Sequence, residues 1–177
     1  NFASDATAYK DAMAASRRDN GTARELRVDA PDIWDPAVAD DPEAFVMFIF
    51  PWGQKGTPLE KYKGPRTWQR KKLRLIRDHL RANDRLAAAK EIYKILQDAT
   101  VSGRGIGKSA LVSWLILWMM STRIGSTTIV SANTESQLRS RTWAELGRWH
   151  TLAMNSHWFE RSAMKLKPAE WFELLVK

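Results

Sequence analysis

Residues 102–109 read Ser-Gly-Arg-Gly-Ile-Gly-Lys-Ser, and this stretch decides which fold the sequence predicts. It matches the Walker A pattern, GxxxxGKS/T, except that Ser102 stands where the first glycine is usual. Gly103, Gly105 and Gly107 let the backbone turn several N–H groups toward one point, as a bound polyphosphate requires. We therefore predict a phosphate-binding loop made of Ser102, Gly103, Arg104, Gly105, Ile106, Gly107, Lys108 and Ser109.

Three side chains of this loop have predicted chemical roles. Lys108 would place a positive charge on the β- and γ-phosphates of a nucleotide triphosphate, and the Ser109 hydroxyl would bind Mg²⁺. Arg104 would stabilise the charge that develops during phosphoryl transfer. The predicted cofactors are ATP and Mg²⁺, with Lys108 and Arg104 as catalytic residues. The alternatives are a glycine-rich turn that only links two elements, and for Arg104 a solvent-facing charge.

The segments around the loop predict a parallel sheet. Ala99–Ser102 reads as a short strand, and Ser109 to about Thr122 reads as an apolar helix. Thr127–Ala132 is rich in β-branched residues, which is typical of a buried strand. Thr134 and Gln137 then form a capping box that opens another helix. This βαβ order predicts an α/β fold, a P-loop NTPase-type parallel sheet flanked by helices.

The residues before the loop are expected to be helical. Asp41 and Pro42 form a good N-cap and first turn, and Phe45–Phe50 predicts a short buried helix. Apolar residues at spacings of three and four predict a helix from Thr67 to about Arg81 and a second one from Arg85 to about Leu96.

Charge and composition restrict the partners. The chain of 177 residues has a net charge of +8 and a pI near 9.9, which predicts attraction to a polyanion and favours nucleic acid over a membrane. Leu111–Met120 is too short to cross a bilayer. The chain has no cysteine, and its three histidines show no zinc-binding spacing. Basic residues crowd between Lys61 and Arg85, and we interpret most of them as a solvated helix face.

Four stretches together point to a known family. They are Phe50-Pro51-Trp52-Gly53, Gly64–Gln69, Ser102–Ser109 and Ser131–Gln137. With the tryptophan-rich helices between them, they span roughly Phe45 to Phe159, and over this range the chain resembles the large terminase subunit, the DNA-packaging motor ATPase of tailed bacteriophages.

The resemblance implies further site residues and partners. It implies that Trp68 and Gln69 lie against the adenine of ATP and that the basic residue at Arg104 takes part in ATP hydrolysis. The alternative is that Trp68 is a core residue and Gln69 is exposed. The partners implied are double-stranded DNA, a portal protein, a small terminase subunit and other copies of the chain in a ring. The implied location is the host cytoplasm, with no membrane.

Two parts of the family pattern do not occur in the sequence. We find neither a Walker B strand ending in an acidic pair nor the acidic nuclease cluster. We therefore expect a front part of a P-loop ATPase domain at 45–177, after an extension of uncertain structure at 1–44, with little ATPase and no nuclease activity by itself. Two alternatives stay open: another P-loop ATPase, such as a helicase or a recombination ATPase, and a non-catalytic DNA-binding or portal-docking module with a relic loop.

Overall fold

The computed structural model describes residues 33–101, 103 and 105–176 as two compact units, 33–153 and 154–176. The helices of the first unit are α1 (Pro36–Ala39), α2 (Pro42–Ile49), α3 (Thr67–Ala88), α4 (Lys108–Thr122), α5 (Glu135–Gln137), a π-helical turn (Leu138–Trp143) and α6 (Ala144–Leu152). The second unit contains a 3₁₀ turn (Ser156–Trp158), the strands β1 (Phe159–Arg161) and β2 (Leu166–Pro168), and the helix α7 (Glu170–Val176).

The beginning of α2 confirms the predicted cap. The Asp41 carboxylate accepts hydrogen bonds from the N–H groups of Glu43 and Ala44 at 2.9 and 3.2 Å, and Pro42 occupies the first helical position. Phe45 and Ile49 are buried, as the apolar run predicts. The predicted helix that follows the glycine loop is also confirmed, since α4 covers Lys108–Thr122.

α3 is longer than predicted, and the predicted helix over Arg85–Leu96 is wrong. α3 runs for 22 residues to Ala88, and Lys90 then has a φ of 57°. Residues 91–101 adopt neither helix nor strand. Ile92 and Ile95 are 90% and 87% exposed, so the apolar face that would have stabilised a second helix has no core to pack against.

The predicted P-loop-type parallel sheet is wrong for the described part of the chain. The strands there, β1 and β2, are antiparallel, with Glu160 opposite Lys167. The described residues of Ala99–Ser102 and all of Thr127–Ala132 adopt neither helix nor strand. β-branched residues favour a strand only where a neighbouring strand and a buried face support it. Among the described residues no strand pairs with either segment, and Val101 and Ile129 are 98% and 88% exposed.

The core of the first unit lies where α2, α4 and α6 meet. α4 packs against α6 and α2, and Leu117 and Leu146 are fully buried. Four aromatic rings form the aromatic cluster of this core: Phe50, Trp52, Trp114 and Trp149. The Trp114–Trp149 and Phe50–Trp149 centroids are 4.9 and 4.8 Å apart in edge-to-face geometry, which adds stabilisation beyond buried area. The core places the N-terminus of α4 at the edge of this packed unit.

The second unit has its own small apolar centre. Trp158 and Phe172 stack with centroids 4.8 Å apart, and both are buried. The Ala169 N–H donates to the Trp158 carbonyl at 2.7 Å, just before α7 begins. Among the residues that the structure describes, no helix in either unit is long and apolar enough to span a bilayer.

Candidate phosphate-binding loop

The loop meets α4 through two glycines in the left-handed conformation. Gly105 has a φ of 74°, and Gly107, the N-cap of α4, has a φ of 92°. Other residues adopt this conformation only with strain. A Cβ atom on Gly107 would also lie 2.8 Å from the Gln69 amide nitrogen. The backbone therefore turns into α4 in a way that glycine permits, as the loop pattern predicts.

Lys108 is the first residue of α4, and its ammonium group lies over the loop. Its Nζ donates a hydrogen bond to the Gly103 carbonyl at 3.0 Å, although Gly103 is five residues earlier in the chain. Residues 106–109 are half-buried, and Gly103 and Gly105 are exposed. The cationic side chain, the turn and the positive end of the α4 dipole thus occupy the same region.

Ser109 follows Lys108 in the first turn of α4. Its carbonyl accepts a hydrogen bond from the Ser113 hydroxyl at 2.8 Å, an ordinary bond within the helix. Its own hydroxyl is the group that could bind a metal ion carried by a nucleotide. Within 33–101, 103 and 105–176, no group of three or more His, Asp or Glu side chains could hold a metal ion by itself.

Trp68 and Gln69, in the first turn of α3, lie directly behind the loop. The Trp68 indole N–H donates to the Ile106 carbonyl at 3.2 Å, and the Gln69 amide nitrogen donates to the Gly107 carbonyl at 2.9 Å. Gln69 is only 3% exposed, so its alternative interpretation as an exposed residue is wrong. The resemblance implied that these two residues lie against the adenine of ATP, and it did not imply that they bond the backbone of the loop.

The other hydrogen bond of Gln69 is local, and a sequence pattern could have predicted it. Its Oε1 accepts a hydrogen bond from the backbone N–H of Arg66 at 2.8 Å, where Arg66 is the N-cap of α3 and Gln69 is its N3 residue. A glutamine at N3 commonly reaches back to the N-cap in this way. The local half of its bonding was therefore predictable, whereas the contact with Gly107, 38 residues away, was not.

Ser102 and Arg104 lie outside the described residues. The predicted place of Ser102 in the loop and the predicted catalytic role of Arg104 stay predictions of the sequence.

The basic residues of α3 are partly used to hold the fold together. Arg70 and Arg74 form ion pairs with Glu43, which is buried at the start of α2. The hydrogen bond to Glu43 raises the pKa of Arg74. Arg77 pairs with Asp41, the cap of α2, and with Asp78, whose hydrogen bond raises the pKa of Arg77. These arginines connect α3 to α2. The exposed basic residues of α3 are Lys71, Arg74, Arg81 and Arg85.

No protein-family model matches the chain, and no curated protein or solved structure matches it. Function is therefore inferred from the loop, from α4 and from the contacts around them.

Proposed function

We propose that residues 102–109 bind the polyphosphate of ATP together with Mg²⁺, and that the chain is the ATP-binding part of a DNA-packaging motor ATPase. The observation that supports this best is the position of Lys108. It opens α4 directly after two left-handed glycines, and its ammonium group lies over the turn, bonded to the Gly103 carbonyl. A cation, a glycine-rich turn and a helix N-terminus together are the groups that a polyphosphate requires.

The helix N–H groups, Lys108 and Ser109 would each contact a different part of the bound MgATP. The N–H groups in the first turn of α4 lie at the positive end of the helix dipole and would donate to phosphate oxygens. Lys108 would exchange its carbonyl partner for the more strongly attracting β- and γ-phosphates. The Ser109 hydroxyl would supply one ligand to Mg²⁺, which usually takes few ligands from a protein and the rest from phosphates and water.

The proposal does not require a parallel sheet in the described residues. The features that bind phosphate are local to the turn and to the first turn of α4, and both are held in place by α3. The net charge of +8 adds attraction to DNA. The resemblance to the large terminase subunit supplies the proposed reaction, in which ATP hydrolysis drives double-stranded DNA into a procapsid. The proposed partners are a portal protein, a small terminase subunit and identical chains in a ring.

The binding half of the proposal is tested by Lys108→Ala. We expect the affinity for a fluorescent ATP analogue with Mg²⁺ to fall about 10- to 100-fold, because one charge-assisted phosphate contact is lost. A titration followed by fluorescence anisotropy measures this. Lys55→Ala, which removes an exposed lysine from another loop, is the matched control and should bind like the wild type. Equal affinities of Lys108→Ala and wild type would rule out the phosphate role.

A thermal-shift measurement separates a working site from a relic loop. About 1 mM MgATP should raise the melting temperature by several degrees if the dissociation constant lies well below that concentration. Lys108→Ala should lose most of this shift. A non-catalytic DNA-binding module would instead show salt-dependent DNA affinity and no response of the melting temperature to MgATP.

A further inference from the structure

Gln69 is placed to hold the phosphate loop and not to read the base of the nucleotide. This inference rests on the proposed function and concerns how the same site is organised. We propose that Gln69, assisted by Trp68, is a positioning residue that fixes the carbonyl groups of Ile106 and Gly107, so that the turn presents its N–H groups to a polyphosphate whatever base is attached.

The first step of the argument is that the Gln69 amide is engaged at both ends. Its oxygen accepts from the Arg66 N–H at 2.8 Å, and its nitrogen donates to the Gly107 carbonyl at 2.9 Å. The residue is 3% exposed. An amide that pairs with the edge of an adenine needs its donor and its acceptor directed outward together, and here each is directed at backbone.

The second step is that Gln69 bonds the carbonyl group at which α4 begins. The Gly107 carbonyl also accepts the N–H of Leu111 at 3.2 Å, as the N-cap carbonyl of α4. Gln69 therefore joins the N-terminus of α3 to the N-terminus of α4 through one side chain. Since peptide groups are planar, fixing the Gly107 carbonyl also fixes the N–H of Lys108 on the opposite side of the same peptide.

The third step is the close fit around this contact. A Cβ at Gly107 would lie 2.8 Å from the Gln69 nitrogen, so glycine lets the amide approach the turn. Trp68 adds a second bond in the same direction, from its indole N–H to the Ile106 carbonyl at 3.2 Å. The peptide groups 106–107 and 107–108 are thus each held at the carbonyl, which also fixes the direction of the N–H group in the same peptide.

The experiment compares three ligands that share the polyphosphate and differ in the base: MgATP, MgGTP and inorganic tripolyphosphate with Mg²⁺. Gln69→Ala should weaken all three by the same factor, about 3- to 10-fold, which corresponds to one lost neutral hydrogen bond. Gln97→Ala removes an exposed glutamine and should change none of them. A loss confined to MgATP would show that Gln69 reads adenine, and an unchanged affinity would show that it does not position the loop; either result overturns the inference.

Gln69→Glu separates positioning from a general loss of structure. The introduced carboxyl can still accept from the Arg66 N–H, but at pH 8 it cannot donate to the Gly107 carbonyl. As the pH falls, the carboxyl becomes protonated and can donate again. The ratio of the dissociation constants of Gln69→Glu and wild type for tripolyphosphate should therefore move back toward one. Thr67→Glu adds the same charge at an exposed neighbouring position and controls for repulsion of phosphate. The same pH-dependent recovery in both variants would overturn the positioning role.

Two further measurements distinguish unfolding of a variant, failure of the proposed function and failure of this inference. Melting temperatures of every variant must lie well above the assay temperature. Trp68→Phe keeps an aromatic ring but loses the bond to Ile106, and it is a milder variant in which the same base-independent loss is expected. Wild-type protein that binds no tripolyphosphate contradicts the proposed function itself. Wild-type binding with Trp68→Phe and Gln69→Glu both unaffected contradicts only this inference.

Discussion

Gly107 meets two separate demands at one position. Its φ of 92° belongs to the left-handed region, and the space where a Cβ would lie is occupied by the Gln69 amide at 2.8 Å. The first demand concerns the backbone and the second concerns a neighbour. A substitution at this position should therefore lose more stability than the backbone conformation alone accounts for.

Gly107→Ala and Gly56→Ala form a matched pair that separates the two effects. Gly56 has a φ of 80° with nothing within 4 Å of a Cβ, so its replacement introduces only backbone strain. We expect Gly56→Ala to lower the free energy of unfolding by about 1 kcal/mol and Gly107→Ala by about 2 to 3 kcal/mol. Urea denaturation measures both values. Equal losses would contradict the close approach of Gln69 to the turn.

At the scale of elements, α2 and α3 are joined by a charged contact. Glu43, in the first turn of α2, accepts hydrogen bonds from Arg70 and Arg74 of α3 and is 9% exposed. Because Arg70 and Trp68 belong to the same turn region of α3, this contact also helps to hold the helix that supports the candidate phosphate-binding loop.

Replacing Glu43 by alanine tests this contact. The two arginine side chains are 34% and 51% exposed, so water compensates part of the lost attraction, and we expect a loss of about 1 to 2 kcal/mol in the free energy of unfolding. Glu91→Ala, at an exposed position outside any helix, should stay within about 0.5 kcal/mol of wild type. A Glu43→Ala variant as stable as this control would show that the ion pairs do not stabilise the packing of α2 on α3.

The elements that the sequence predicted correctly are those with local signals. The N-cap Asp41 with Pro42 marks the start of α2, and the glycines before Lys108 mark the start of α4. The prediction of a strand at Thr127–Ala132 was wrong because β-branched residues only favour extended backbone, and a strand also needs a neighbouring strand to pair with.

In the candidate site, too, the features with local sequence signals were predictable and the contacts between distant residues were not. The place of Lys108 at the start of a helix followed from the spacing of the loop residues. The two bonds from Trp68 and Gln69 to the loop span 38 residues each, and no local pattern encodes such contacts. The sequence thus predicted where Lys108 lies but missed how α3 holds the turn, and the binding roles of these residues stay predictions.

At the scale of the first unit, two largely exposed segments, 90–101 and 126–134, precede and follow α4 in the chain. Neither adopts helix or strand, and Ile92, Ile95 and Ile129 are each at least 87% exposed. Amide hydrogen exchange followed by mass spectrometry should therefore be fast in both segments and slow in α4 after its first turn, where the N–H groups are bonded within the helix and many residues are buried. Slow exchange in 126–134 would show that this segment pairs with a neighbour after all. The α4 peptides serve as the internal control in the same sample.

The aromatic cluster gives this unit a distinct optical property. Trp52, Trp114 and Trp149 lie within 5.9 Å of one another between ring centroids, with two of the three ring pairs nearly perpendicular. The intense far-ultraviolet transitions of indoles held this close and at fixed angles couple to one another, which produces a pair of circular-dichroism bands of opposite sign. The three rings come from the segment after α2, from α4 and from α6, so the intensity of this pair of bands reports whether all three chain segments are still assembled.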